Sequence, residues 1–177
     1  MDLAVSPDGW LSHGARRWRC ALGRAGIRPD KHEGDGATPV GRFALRSVLY
    51  RPDRIARPVT SLAVRPIVEG DGWCDAPGHP DYNRPVRLPH PASCETMWRD
   101  DGLYDLVVVL GHNDDPPEPG RGSAIFLHVA RPDYAPTEGC VALALADLVE
   151  LLTTIDRDDA MVVLGPAAGV AEKAGQD

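Results

Sequence analysis

The chain has 177 residues, 26 Asp and Glu against 19 Lys and Arg, and a net charge of −7. A length of this order suits one domain of roughly 100–200 residues, large enough to bury a full core without a staple. The 18 Gly and 17 Pro are spread along the chain as turns and exclude a helical bundle, and the acidic balance argues against nucleic acid or an anionic membrane as partner, since both select a clustered positive field.

Taken in chain order, residues 3–5, 10–11 and 18–22 are short apolar stretches separated by Pro-Asp-Gly and His-Gly turns, and they read as an opening strand meander. A Gly-rich loop, residues 30–36 (DKHEGDG), leads to residues 38–43 (TPVGRF). The run FALRSVLY, residues 43–50, is β-prone, with a short helix as the other reading. Residues 51–102 are rich in Pro, Asp, Gly and Arg, and only 61–68 look strand-like. A connection this long is usually functional or mobile.

The strongest strand signal is Leu106–Leu110 (LVVVL), apolar without alternation and so expected to be buried on both faces. Residues 124–129 (AIFLHV) are the next central strand. Leu145, Leu148, Val149 and Leu152 form the stripe of one amphipathic helix, expected near residues 147–154, with Asp147 in its first turn. Residues 160–164 form a last strand, and residues 166–177 read as a flexible C-terminal tail after a domain spanning 1–165.

No stretch approaches 18 consecutive apolar residues, so no membrane-spanning helix is expected. The opening MDLAVSPDGWLSHGARRWRC lacks the charged-then-apolar pattern of an export signal, which leaves a cytoplasmic location open. Cys20, Cys74, Cys94 and Cys140 form no CxxC pair, so no structural zinc site is expected. In an oxidising compartment, Cys74 and Cys94 would be the pair to couple.

Residues 125–143 read IFLHVARPDYAPTEGCVAL. A cysteine attacks as thiolate and needs a base to take its proton. His128, with an ordinary pKa near 6.5, suits that task. Gly139 would let a substrate carbonyl approach and free backbone N–H groups for an oxyanion. Read alone, the spacing favours Cys140 as a small buried hydrophobe opening the run VALAL, and His128 as a satisfied strand-end residue.

Two segments together, Thr38-Pro39-Val40-Gly41-Arg42-Phe43 and His128 … Thr137-Glu138-Gly139-Cys140-Val141, resemble the L,D-transpeptidase catalytic domain (YkuD) family over residues 3–164. The resemblance implies a mainly β fold, a β-sandwich or partly closed barrel of mixed sheets with one main helix and short helical pieces. It implies Cys140 as acyl-accepting nucleophile, His128 as its base with the backbone near Val129 orienting the ring, peptidoglycan stem peptides as substrates, a cell-wall location, and no metal or organic cofactor. The chain departs from the family in Glu138, where His is usual, in Ala142, where Arg or Asn is usual, and in a shorter loop from His128 to Cys140. On this reading His112 takes the place of the missing histidine, and Thr137, Glu138, Tyr134 and Arg131 contact substrate. Arg121 is a further carboxylate-pairing candidate. A binding module that keeps the fold without activity, and a metal hydrolase on His112, His128 and Cys140, are the alternatives. The sequence is silent on oligomeric state.

Overall fold

The run LVVVL lacks polar alternation because both of its faces are covered. In the computed structural model, which describes residues 1–166, all five of its residues are buried. Leu106, Val108 and Leu110 face the larger apolar core; Val107 and Val109 face a second cluster with Trp73, Met97, Tyr104, Phe126 and Cys140.

Fourteen strands and one helix make up the described residues: β1 (Leu3–Ser6), β2 (Trp10–His13), β3 (Arg16–Arg19), β4 (Ile27–Arg28), β5 (Thr38–Pro39), β6 (Gly41–Tyr50), β7 (Val64–Pro66), β8 (Asp71–Cys74), β9 (Pro85–Arg87), β10 (Cys94–Thr96), β11 (Leu106–Leu110), β12 (Phe126–Val129), β13 (Val141–Leu143), α1 (Leu145–Leu152) and β14 (Ala160–Val163). The main sheet runs β13-β12-β11-β6-β14-β1-β2-β3, with β7 added beside β6. Its pairings are antiparallel except β1–β14, β12–β13 and β6–β7, which are parallel. Beyond β3 the chain bends back onto the far edge: Ala21 and Ala142 exchange N–H···O bonds of 2.8 and 3.0 Å. That contact nearly closes the sheet into a barrel. The fold is mainly β with mixed sheets and one helix.

The helix starts at Leu145 and buries Leu148, Leu151 and Leu152. Val149, expected on the apolar stripe, is 41% exposed, because the helix presents a face rotated towards Leu151. Among the described residues the other connections are turns and bends rather than the short helical pieces expected. The long insert differs most from expectation: residues 51–102 hold β7 and a separate sheet, β10-β8-β9. The expected tail lies outside the described residues except for Pro166. No described helix is long and apolar enough to cross a membrane.

Candidate active site

The parallel pairing of β12 with β13 sets His128 opposite Ala142, and Cys140 precedes β13 by one residue. Both His128 and Cys140 are buried, and both line one cleft of about 490 Å³, a size that suits a small-molecule or peptide ligand.

Cys140 is positioned by the turn before it. Gly139 has φ +134°, and a Cβ there would stand 2.7 Å from the Ala37 carbonyl oxygen, so only glycine fits. The Gly139 N–H donates to Thr137 Oγ1 at 3.2 Å, and the Thr137 hydroxyl donates to the Cys140 carbonyl at 2.6 Å. Thr137 thus braces the turn as well as lining the cleft. The Gly139 N–H, expected to be free for an oxyanion, is already engaged.

The Cys140 thiol donates to the Ala124 carbonyl at 3.3 Å and accepts the Phe126 N–H at 3.4 Å. Burial pushes its pKa up to about 12, with the Glu95 carboxylate adding to the rise and the Phe126 N–H, Lys31 and Arg99 opposing it. Burial also lowers the His128 pKa to about 4. Thiol and imidazole are therefore both neutral, and no hydrogen bond joins them. His128 Nδ1 lies 2.9 Å from the Val129 carbonyl. A carbonyl only accepts, so the proton sits on Nδ1 and Nε2 keeps its lone pair. Tyr104 stacks edge-on against the imidazole at 5.4 Å between centroids.

The rest of the cleft is charged in both senses. Lys31, Arg99 and Arg131 supply cations; Glu33, Asp75, Glu95 and Glu138 supply acids. The buried Lys31 ammonium is held by Asp35 and by the His32 carbonyl. Burial works to raise the Asp35 pKa, but Lys31 and the N–H groups of His32 and Ala37 outweigh it and hold that carboxyl below its usual range. Glu95 is raised by burial, against the Tyr104 hydroxyl donated to it and the Arg99 guanidinium. The Tyr82 hydroxyl donates to Glu33 and accepts the Gly122 N–H at 3.1 Å. Asp75 Oδ1 and Ser123 Oγ are buried without a partner among the described residues, and both residues line the cleft.

Of the residues singled out by sequence, Cys140, His128, Thr137, Glu138 and Arg131 share this cleft. Glu138 is exposed and paired with Arg24 at 2.9 Å. His112 lines a neighbouring pocket with Val40, Asn113 and Arg121. Its Nε2–H donates to the Arg121 carbonyl at 3.0 Å, and its ring packs edge-on against Phe43. The Gly122 backbone runs between His112 and Lys31 so tightly that a Cβ would come within about 3.1 Å of each. The structure thus places His112 in the adjoining pocket, which shares Lys31 with the cleft, rather than in the cleft with Cys140, and among the described residues His112, His128 and Cys140 do not converge as metal ligands. Tyr134 also lies off the cleft, under the Arg19 guanidinium at 4.5 Å.

Lys31, Glu33, Asp75, Glu95, Arg99 and Ser123 escaped the sequence reading. So did Asn83, which ties the insert to the site. Asn83 Oδ1 accepts from Trp73 Nε1 at 2.9 Å and Ala124 N at 3.0 Å; its Nδ2 donates to the carbonyls of His112 and Asn113 at 3.0 and 2.7 Å. The one available signal was the length of the insert.

The L,D-transpeptidase catalytic domain (YkuD) family matches residues 8–164. Mycobacterium tuberculosis L,D-transpeptidase 1 is a similar solved structure, at 14% identity and a TM-score of 0.41, with 92% of this chain and 59% of that one covered. This chain thus spans about three-fifths of that protein's length. No curated protein sequence matches the chain. The family match takes in almost all of the described residues, and the chain belongs to the L,D-transpeptidase catalytic domain family.

Proposed function

We propose that this chain is a cysteine acyltransferase acting on peptidoglycan stem peptides through an acyl-enzyme on Cys140. The observation that carries the reading is that Cys140 and His128 line one cleft, with His128 Nδ1 2.9 Å from Val129 O, a contact that favours the Nδ1–H tautomer and makes Nε2 the atom to accept the thiol proton. The Cys140 sulfur attacks the carbonyl of the third stem residue, a diamino acid, as the S–H proton passes to His128 Nε2. The C–N bond then breaks, the imidazolium returns its proton to the departing D-Ala amine, and a thioester remains. A side-chain amine of a second stem resolves the thioester to a 3→3 cross-link, or water resolves it as a carboxypeptidase. His128 takes the proton of either acceptor, and the thiol is regenerated.

A stem peptide carries carboxylates and ammonium groups, and the mixed lining supports such a ligand. Arg131 pairs with carboxylate, while Lys31 and Arg99, already held by Asp35 and Asp101, add positive field; exposed Glu138 receives ammonium.

Incubation with disaccharide-tetrapeptide, read by mass spectrometry, tests the proposal. Loss of terminal D-Ala or a cross-linked dimer is expected, together with a carbapenem adduct on Cys140. Stem binding with neither product nor adduct would favour the inactive binding module instead.

A further inference from the structure

The insert sheet β10-β8-β9 is built from strands of three, four and three residues. Sheets this small are marginal unless packed or stapled. Trp73 and Met97 pack it against the second apolar cluster. On its other side lie two cysteines and two histidines that the acyl transfer does not use.

Cys74 ends β8 and Cys94 opens β10, directly opposite each other in antiparallel register. Ladder bonds join Asp75 N to Ser93 O at 3.2 Å and Met97 N to Asp71 O at 2.9 Å. By the antiparallel alternation, Cys74 and Cys94 are then a non-hydrogen-bonded pair, with Cα atoms about 4.5 Å apart and side chains on one face. His90 brings a third donor: ligand atoms of Cys74, His90 and Cys94 all lie within 4.8 Å of one another. Two sulfurs bound to one tetrahedral zinc at about 2.3 Å each stand about 3.8 Å apart, so only a small closure is needed.

The His90 ring is already oriented. Its side chain is 10% exposed, and Nε2 lies 3.2 Å from Asp81 Oδ2. A carboxylate only accepts, so Nε2 carries the proton and Nδ1 keeps the lone pair, which now receives the Ala92 N–H at 3.2 Å. A carboxylate behind a histidine is the usual support of a metal ligand. All four cysteines are free thiols. A disulfide would account for two opposed cysteines; it leaves the third, oriented donor without a purpose.

We infer that Cys74, His90 and Cys94 form a binding site for a divalent cation, zinc by the softness of its donors, with Asp81 holding the His90 ring and solvent in the fourth position. The spacing is Cys-x15-His-x3-Cys, so the lack of a CxxC pair concealed it. The next residues along the chain, Asp75 and Glu95, line the catalytic cleft. The ion therefore clamps, from the far face of β8 and β10, the two strands that carry the acidic wall.

A Co²⁺ titration of the reduced full-length chain, with Zn²⁺ as competitor, tests this independently of acyl transfer. One Co²⁺ per chain is expected, with thiolate–cobalt charge-transfer and tetrahedral d–d absorption, displaced by Zn²⁺. The spectrum should persist in Cys140→Ser and Cys20→Ser and vanish in Cys94→Ser. Asp81→Asn should weaken binding by roughly 10–100-fold. Should Cys94→Ser fail the circular-dichroism check for folding, His90→Gln replaces it with the same expected loss of affinity. Absence of the charge-transfer band in the reduced wild-type chain would overturn the inference. So would a band lost in Cys140→Ser but kept in Cys94→Ser, or a Cys74–Cys94 disulfide that forms with stoichiometric zinc present.

Discussion

Lowering the pH should unmask His128 as a buried base. Burial, reinforced by the Arg99 charge and opposed by the Val129 carbonyl, lowers its pKa from 6.5 to about 4. In the unfolded chain the imidazole takes up its proton as pH falls through about 6.5; in the native state it does so only near pH 4. Between those values the unfolded state binds more protons, so stability falls as pH falls, and the loss is complete by about pH 4. At about 1.4 kcal/mol for each tenfold difference in proton affinity, His128 alone accounts for about 3 kcal/mol. With a urea dependence of about 1–3 kcal/mol per molar, the midpoint should drop by about 1–3 M more in wild type than in His128→Gln between pH 7 and 4. Subtracting the variant cancels the carboxylates that titrate in the same range. The second-order rate of carbapenem acylation should keep its acid limb near pH 4, because the base stays neutral down to that pH. An acid limb near 6.5, or identical pH dependence of stability in wild type and His128→Gln, would refute the reasoning.

Cys140→Ala should abolish the carbapenem adduct in intact-mass measurements, whereas Cys20→Ala, Cys74→Ala and Cys94→Ala should retain it; an adduct on Cys140→Ala would put the nucleophile elsewhere. Gly139→Ala should cost about 1–3 kcal/mol in urea unfolding from its strained φ alone, and should slow adduct formation, because the obstructing Ala37 oxygen at 2.7 Å is backbone and cannot swing aside. Asn83→Ala should destabilise by about 3 kcal/mol or more, since it strips the buried N–H groups of Trp73 and Ala124 of their acceptor; a loss below about 1 kcal/mol would show that water replaces the amide.

The parts of this molecule legible in its sequence are those with local causes. Strand β11 announces itself because burial on both faces removes polar alternation, and Cys140 with His128 because a Gly-Cys pair and an upstream histidine survive as a pattern. The helix was legible in place and only partly in orientation: exchanging Val149 for Leu151 turns the apolar face by less than one residue's angle of about 100°, set by what the helix packs against. Of the insert only β7 was legible, inside the strand-like stretch 61–68; the sheet β10-β8-β9 was not, because its strands are three or four residues long and its pairing is non-local. Pro85 sits in β9, an edge strand where its missing N–H is tolerated, yet in sequence it reads as a breaker. His112 and Tyr134 are each close in sequence to a strand that feeds the cleft, but the structure sets the His112 ring against the Gly122 backbone and the Tyr134 ring under the Arg19 guanidinium, contacts that sequence proximity does not give.

The neutral state of Cys140 and His128 follows from where the fold puts them. A thiolate–imidazolium pair would place charge on two buried groups, and desolvation opposes both. The structure instead keeps the proton on sulfur, directs it to the Ala124 carbonyl at 3.3 Å, and holds the imidazole in the tautomer that can receive it. A protonated, buried thiol is a poor target for adventitious oxidation or alkylation. Under the proposed acyl transfer, its nucleophilicity would be released when a carbonyl substrate occupies the cleft, since bond formation at sulfur acidifies the S–H as the proton leaves for Nε2. Lys31 and Arg99 favour that negative sulfur, and Glu95 opposes it. Arg99 and Glu95 both belong to the insert, one easing negative charge on Cys140 and the other suppressing it, so under the proposed acyl transfer the insert would tune Cys140 from both directions.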